Sequence, residues 1–122
     1  MTTKQWMERA FYLNEEIKQL TDAKQKAKEL NDAGGGVSGY REYSRILFKK
    51  IEKQLAICME ITNAVSRLEK PLYRAIFTAR YINFKTWEEI AEELELDLRW
   101  VYRLNQRALG EMEKIIEEFF SK

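Results

Sequence analysis

Histidine is absent from this 122-residue chain, proline and cysteine each occur once, and there are only five glycines. Without histidine the chain lacks the commonest general base and metal-binding side chain. A lone Cys58 excludes an internal disulfide and a cysteine-based metal cluster, and a reduced, cytoplasmic setting is expected. Proline and glycine are the costliest residues in a helix interior. Three of the five glycines are consecutive, Gly34-Gly35-Gly36, so the rest of the chain is free to form long helices. No apolar run approaches the roughly 20 residues that span a bilayer. The start, Met1 to Trp6, has no apolar stretch of the signal-peptide kind, and no membrane association is expected. An excess of either charge is missing too: 21 basic residues stand against 20 acidic ones, a formal charge of +1. Where the charges fall must therefore carry any electrostatic argument. The glycine triplet has neither the following lysine nor the preceding strand of a phosphate-binding loop. With no nucleophile–base pair either, neither an enzyme nor a cofactor is expected, and Cys58 reads as a small core residue.

What is present is a chain 45% hydrophobic and 34% charged, enough for both a core and a solvated surface. Leu, Ile, Ala, Glu and Lys are common and valine is sparse, so the expected class is all-α. One helix is expected over about residues 4–31, where Trp6, Ala10, Leu13, Ile17 and Leu20 alternate steps of four and three in a coiled-coil-like seam. A glycine-rich loop at 32–39 follows. A second helix is expected over about 41–69, with an apolar stripe of Leu47, Ile51, Leu55, Cys58, Ile61, Val65 and Leu68. Two helices of similar length around a loop imply an antiparallel hairpin over residues 1–69. The alternative is a long coil that pairs with a second copy of the chain.

Pro71 opens the next unit, residues 70–122, because proline suits a helix's first turn. A short helix is expected over about 71–82. Thr86-Trp87-Glu88-Glu89 matches a capping box, in which the threonine oxygen accepts from the third residue's amide and Glu89 reaches back. It starts a helix of about eight residues with Ile90, Ala91 and Leu94 buried. Asp97 is the expected N-cap of a last helix from Leu98 to about Phe120, with Val101, Leu104, Ala108, Leu109, Met112, Ile115, Ile116 and Phe119 facing inward. Two helices joined by so short a turn must cross steeply. Ala91 allows the close approach, Leu96 plugs the turn and Val101 anchors the second helix. These are the mechanical requirements of a helix-turn-helix.

The charges on the last helix carry the functional expectation. Between Leu98 and Gly110 the only charged residues are Arg99, Arg103 and Arg107, at i, i+4 and i+8 on one stripe. The helix before it carries Glu88, Glu89, Glu92 and Glu93, and the tail carries Glu111, Glu113, Glu117 and Glu118. Arginines so placed can pair with guanine O6 and N7 or hold phosphates. Tyr102, Asn105 and Gln106 add hydrogen-bonding groups beside them. Trp100 is left open between the core, contact with DNA sugars, and a protein partner.

Thr86-Trp87-Glu88-Glu89-Ile90-Ala91-Glu92-Glu93-Leu94, followed by Val101-Tyr102-Arg103-Leu104 and Ala108-Leu109, resembles region 4 of bacterial sigma factors, the domain that reads the promoter −35 element. The likeness covers about residues 70–116. With the amino-terminal hairpin it extends to small sigma-region-4-like proteins of phages and prophages, some of which regulate late genes. The resemblance implies base-edge contacts from Leu98, Arg99 and Arg103, and backbone contacts from Tyr102, Arg107 and the Thr86 end of the preceding helix. Gln106 joins them as a candidate DNA-binding residue. Leu98 stands where that family often has a polar reader, and Trp100 is large for a solvent-facing site. The implied function is a DNA-binding transcriptional regulator acting as a homodimer, with RNA polymerase as a further candidate partner. The alternatives are a small terminase-like packaging subunit and an interaction module that grips polymerase rather than DNA.

Overall fold

The computed structural model describes residues 1–34 and 39–120, and every regular element among them is helical. Residues 35–38, most of the expected glycine loop, lie outside the described part. The first expected helix is interrupted once. Helix α1 spans Thr3–Met7 and α2 spans Arg9–Asp32, with Glu8 between them at φ −87°, ψ 3°. Thr2 and Gln5 form a capping box on α1. At the far end of α2, Gly34 takes φ +88°, a left-handed geometry that glycine adopts without steric cost. Helix α3 spans Gly39–Val65, shorter than the expected 41–69 at its end, and Leu68 is buried in the turn that follows.

Helices α2 and α3 lie side by side and antiparallel. Arg9 Nη2 meets Glu60 Oε1 at 3.0 Å, Gln54 donates to Asn14 at 3.2 Å, and Lys50 pairs with Glu16. The expected seam is buried at Trp6 in α1 and at Ala10 and Leu13 in α2, and half-buried at Ile17 and Leu20. The α3 stripe departs from expectation. Leu47, Ile61 and Val65 are buried and Cys58 is half-buried, but Ile51 and Leu55 are exposed. Gln54 and Ile57 take the inward positions instead, because α2 approaches α3 from one side of a stripe that is wider than the contact.

The expected helix 71–82 changes its winding midway. Helix α4 spans Pro71–Phe77, with proline in the first turn, and continues as a π-helical segment, Thr78–Ile82. Asn83 N–H bonds back to the Thr78 carbonyl at 3.0 Å, five residues away. Arg74 holds the approach to this unit by donating to the carbonyls of Leu68 and Glu69, at 2.6 and 2.9 Å. Helices α5, Trp87–Glu93, and α6, Leu98–Phe119, complete the chain.

One buried cluster joins both halves of the sequence. Trp6, Met7 and Ala10 meet Ile61, Ala64, Val65 and Leu68, then Tyr73, Ile76, Phe77 and Tyr81, and finally Ile90, Val101, Leu104, Ala108 and Met112. Phe77 is fully buried and sets its ring edge-on to Tyr81, centroids 4.9 Å apart. Trp6 also reaches Phe120 at the end of α6, centroids 5.3 Å apart. Phe119, expected inside, is instead exposed beneath the Arg67 guanidinium at 3.8 Å. By helical phase it points the same way as Val101 and Met112, but it stands about two turns beyond Met112, the last buried residue of α6, where that face runs past the core.

Candidate nucleic-acid interface

The site is built from α5, its turn and α6. Thr86 Oγ1 accepts from Glu89 N–H at 3.1 Å, and Thr86 N–H donates to the Glu89 carboxylate at 3.0 Å, completing the expected capping box. The Thr86 backbone donor holds the Glu89 carboxyl below its ordinary range, with the hydroxyl adding to the effect. Both polar groups of Thr86 are thus engaged inside the chain, with a carboxylate beside them.

The turn closes by two reciprocal backbone bonds. Leu96 N–H reaches the Ala91 carbonyl at 2.9 Å and Glu95 N–H reaches that of Glu92 at 3.2 Å. This is a Schellman closure, which needs a left-handed residue at its pivot. Glycine normally stands there, but here Glu95 does, at φ +55°. Leu96 packs half-buried on the core, Ala91 is buried at the crossing, and Val101 is fully buried in the next helix. Asp97 then caps α6 by accepting from Arg99 N–H at 2.8 Å. The turn is short and doubly bonded, so the start of α6 is fixed relative to α5.

With Val101, Leu104, Ala108 and Met112 buried, the 3.6-residue period turns the opposite face outward. Arg99, Arg103, Gln106 and Arg107 are all exposed on it, and none of the three arginines is in an ion pair among the described residues. Lys114, two turns past Arg107, falls on the same stripe and is exposed, but exposed Glu113 and Glu117 share that face, so the uniformly basic part ends at Gly110. Lys114 was not singled out from the sequence, where its i+7 spacing from Arg107 was the available signal. Gly110 sits on this outer face too, and a Cβ added there would meet nothing within 4 Å.

The remaining candidates divide. Leu98 is half-buried and packs against the core, so only part of it faces outward. Tyr102 is 42% exposed and leans edge-on against Trp87, centroids 5.6 Å apart. Trp87 in turn lies under the Arg80 guanidinium at 4.5 Å, and Arg80 Nη1 donates to the Lys85 carbonyl at 3.0 Å. Arg80, Trp87 and Tyr102 therefore form one stack beside the arginine face. They come from three elements, so no linear spacing announces them. Trp100 stays outside the core at 37% exposure, with the Arg107 guanidinium 5.1 Å above its ring.

Asn105 is the one hydrogen-bonding group the structure removes from this surface. It is buried, and its Oδ1 accepts from the Tyr81 hydroxyl at 2.9 Å. At 100° per residue it falls on the Val101–Met112 side of α6, and a buried amide needs a partner. Burial, with the Glu8 charge adding to it, pushes the Tyr81 phenol up to about 12, against the smaller opposing effects of Asn105 and Arg80.

No family model, curated protein or solved structure matches this chain. Among the described residues no group of three His, Cys, Asp or Glu could hold a metal ion. No described helix is long and apolar enough to cross a membrane.

Proposed function

We propose that the chain is a sequence-specific DNA-binding transcriptional regulator of the phage and prophage type, with residues 98–109 of α6 entering the major groove as the recognition helix of a helix-turn-helix. One observation carries this reading: Arg99, Arg103 and Arg107 project from one rigid helix face, exposed and without an ion-pair partner among the described residues. In a chain of net charge +1, an unopposed cationic face is suited to a polyanion. Arg99 and Arg103 are the base-edge readers and Arg107 and Lys114 the phosphate contacts. Tyr102, braced by Trp87, lines the groove wall, and Gln106 offers a neutral donor and acceptor between the arginines. Thr86 contributes by fixing α5 rather than by offering a free donor.

So few phosphate contacts bind weakly at physiological salt, with a log–log salt slope of roughly −2. A second anchor, a further copy of the chain or RNA polymerase, would raise the effective concentration at the site. The test is selection from random duplexes at several salt concentrations, run beside Arg99→Ala/Arg103→Ala. An enriched motif should emerge, and each arginine that contacts a base should be worth about 1–3 kcal/mol. Wild-type protein that enriches no motif and binds duplex no better than the double variant would end this reading.

Trp100 and Tyr102 favour one second reading. Exposed aromatics beside arginines are the residue types that anchor protein interfaces. If the face grips polymerase instead, Trp100→Ala abolishes capture of polymerase while the arginine variant retains it.

A further inference from the structure

Helix α3 carries a second apolar face that nothing among the described residues covers. Phe48, Ile51, Leu55 and Met59 are 63%, 49%, 62% and 62% exposed and recur at steps of three, four and four along three turns. The row points away from α2, which occupies the Leu47, Gln54, Ile57 and Ile61 side. Isolated exposed apolar residues are ordinary, but a contiguous row at coiled-coil spacing is not. We propose that this face of α3 pairs with the same face of a second copy. The inference rests on the two-copy part of the function proposed above and gives it a surface. It also differs from the alternative of a long coil pairing with a second copy, because the α2 seam is already covered by α3.

Two arguments select a second copy. The first is area. A fully exposed large apolar side chain offers on the order of 150–200 Å², so these four, about 60% exposed, contribute on the order of 400 Å² per copy. Two copies, with Glu52, Ala56 and the other residues flanking the row, then reach the roughly 1,000 Å² a specific interface requires. The second is self-compatibility. The row itself carries no charge, and the residues that flank it by helical phase are Arg45 and Glu52, of opposite sign, on one edge and Ser44, Cys58 and Thr62, uncharged, on the other, so two like faces meet without bringing a single sign of charge together.

The experiment is sedimentation equilibrium at tens of micromolar on the full chain and on Leu55→Glu/Met59→Glu, with circular dichroism on both. The wild type should be a dimer and the variant a monomer of unchanged helical content, because both positions are exposed in the single chain. A monomeric wild type, or a variant that remains dimeric, overturns the proposal. Should that variant lose helicity, Phe48→Ser/Leu55→Ser takes its place and is read the same way. Arg99→Ala/Arg103→Ala should stay dimeric, so failure of DNA binding and failure of self-association are separately visible.

Discussion

Helices α3 and α6 each bury one face in the molecule, yet their outward faces differ in kind. The outer face of α6 carries Arg99, Arg103, Gln106, Arg107 and Lys114, while that of α3 carries Phe48, Ile51, Leu55 and Met59. The inner faces obey the same rule and say nothing about function, since any amphipathic helix must cover its apolar stripe. Function is read from the faces the core leaves over. A cationic remainder meets a polyanion at little desolvation cost, and an apolar remainder meets another apolar surface.

The sharpest way to break this comparison is to exchange inner for outer positions. Ile61→Ala on α3 and Met112→Ala on α6, both fully buried, should each lose about 2–5 kcal/mol in urea unfolding. Leu55→Ala, on the outer row, should change the unfolding free energy of dilute protein by less than about 0.5 kcal/mol. Comparable losses at Leu55 and Ile61 in dilute solution would mean that the outer face of α3 is internal after all.

The polar exception on the inner side of α6 comes next. Tyr81→Phe leaves the Asn105 carbonyl buried without its donor, and about 1–3 kcal/mol should be lost. Phenolate absorbance should show one of the six tyrosines ionising only near pH 12. Because the folded value lies above the unfolded one, near 10, this contribution is intact below about pH 10. It is lost as the pH rises from there through 12.

Thr86→Ala should cost about 1 kcal/mol of stability by removing the α5 cap. Duplex affinity should fall no further than that loosening explains, whereas a large loss of affinity with unchanged stability would make Thr86 a direct contact. The smallest effects run the other way. Glu95→Gly relieves the left-handed pivot of the turn and Gly110→Ala restores helix propensity in open space, so each should gain up to about 1 kcal/mol in thermal unfolding. Should Gly110→Ala stabilise the chain but weaken duplex binding, the DNA backbone comes within a methyl's width of α6 there.

The capping box at Thr86, the Asp97 cap and the arginine stripe were legible in the sequence because each depends on neighbours within one or two helical turns. The all-helical class was legible for the same reason. Asn105 was misjudged as a surface group by its polarity, although the 3.6-residue period already puts it on the Val101–Met112 side, and the Tyr81 hydroxyl that satisfies it comes from another element. The Arg80–Trp87–Tyr102 stack escaped notice because it joins three elements.

The sequence by itself determined where helices begin, which residues are apolar, and that the basic residues of α6 share a stripe, since propensity, capping and the 3.6-residue period act locally. Only the tertiary structure decided which of two apolar faces on α3 is covered, that α1 closes over the end of α6, and that Phe119 and Trp100 stay outside. Those outcomes depend on the direction from which a distant helix approaches. An apolar stripe wider than one contact cannot encode that direction alone.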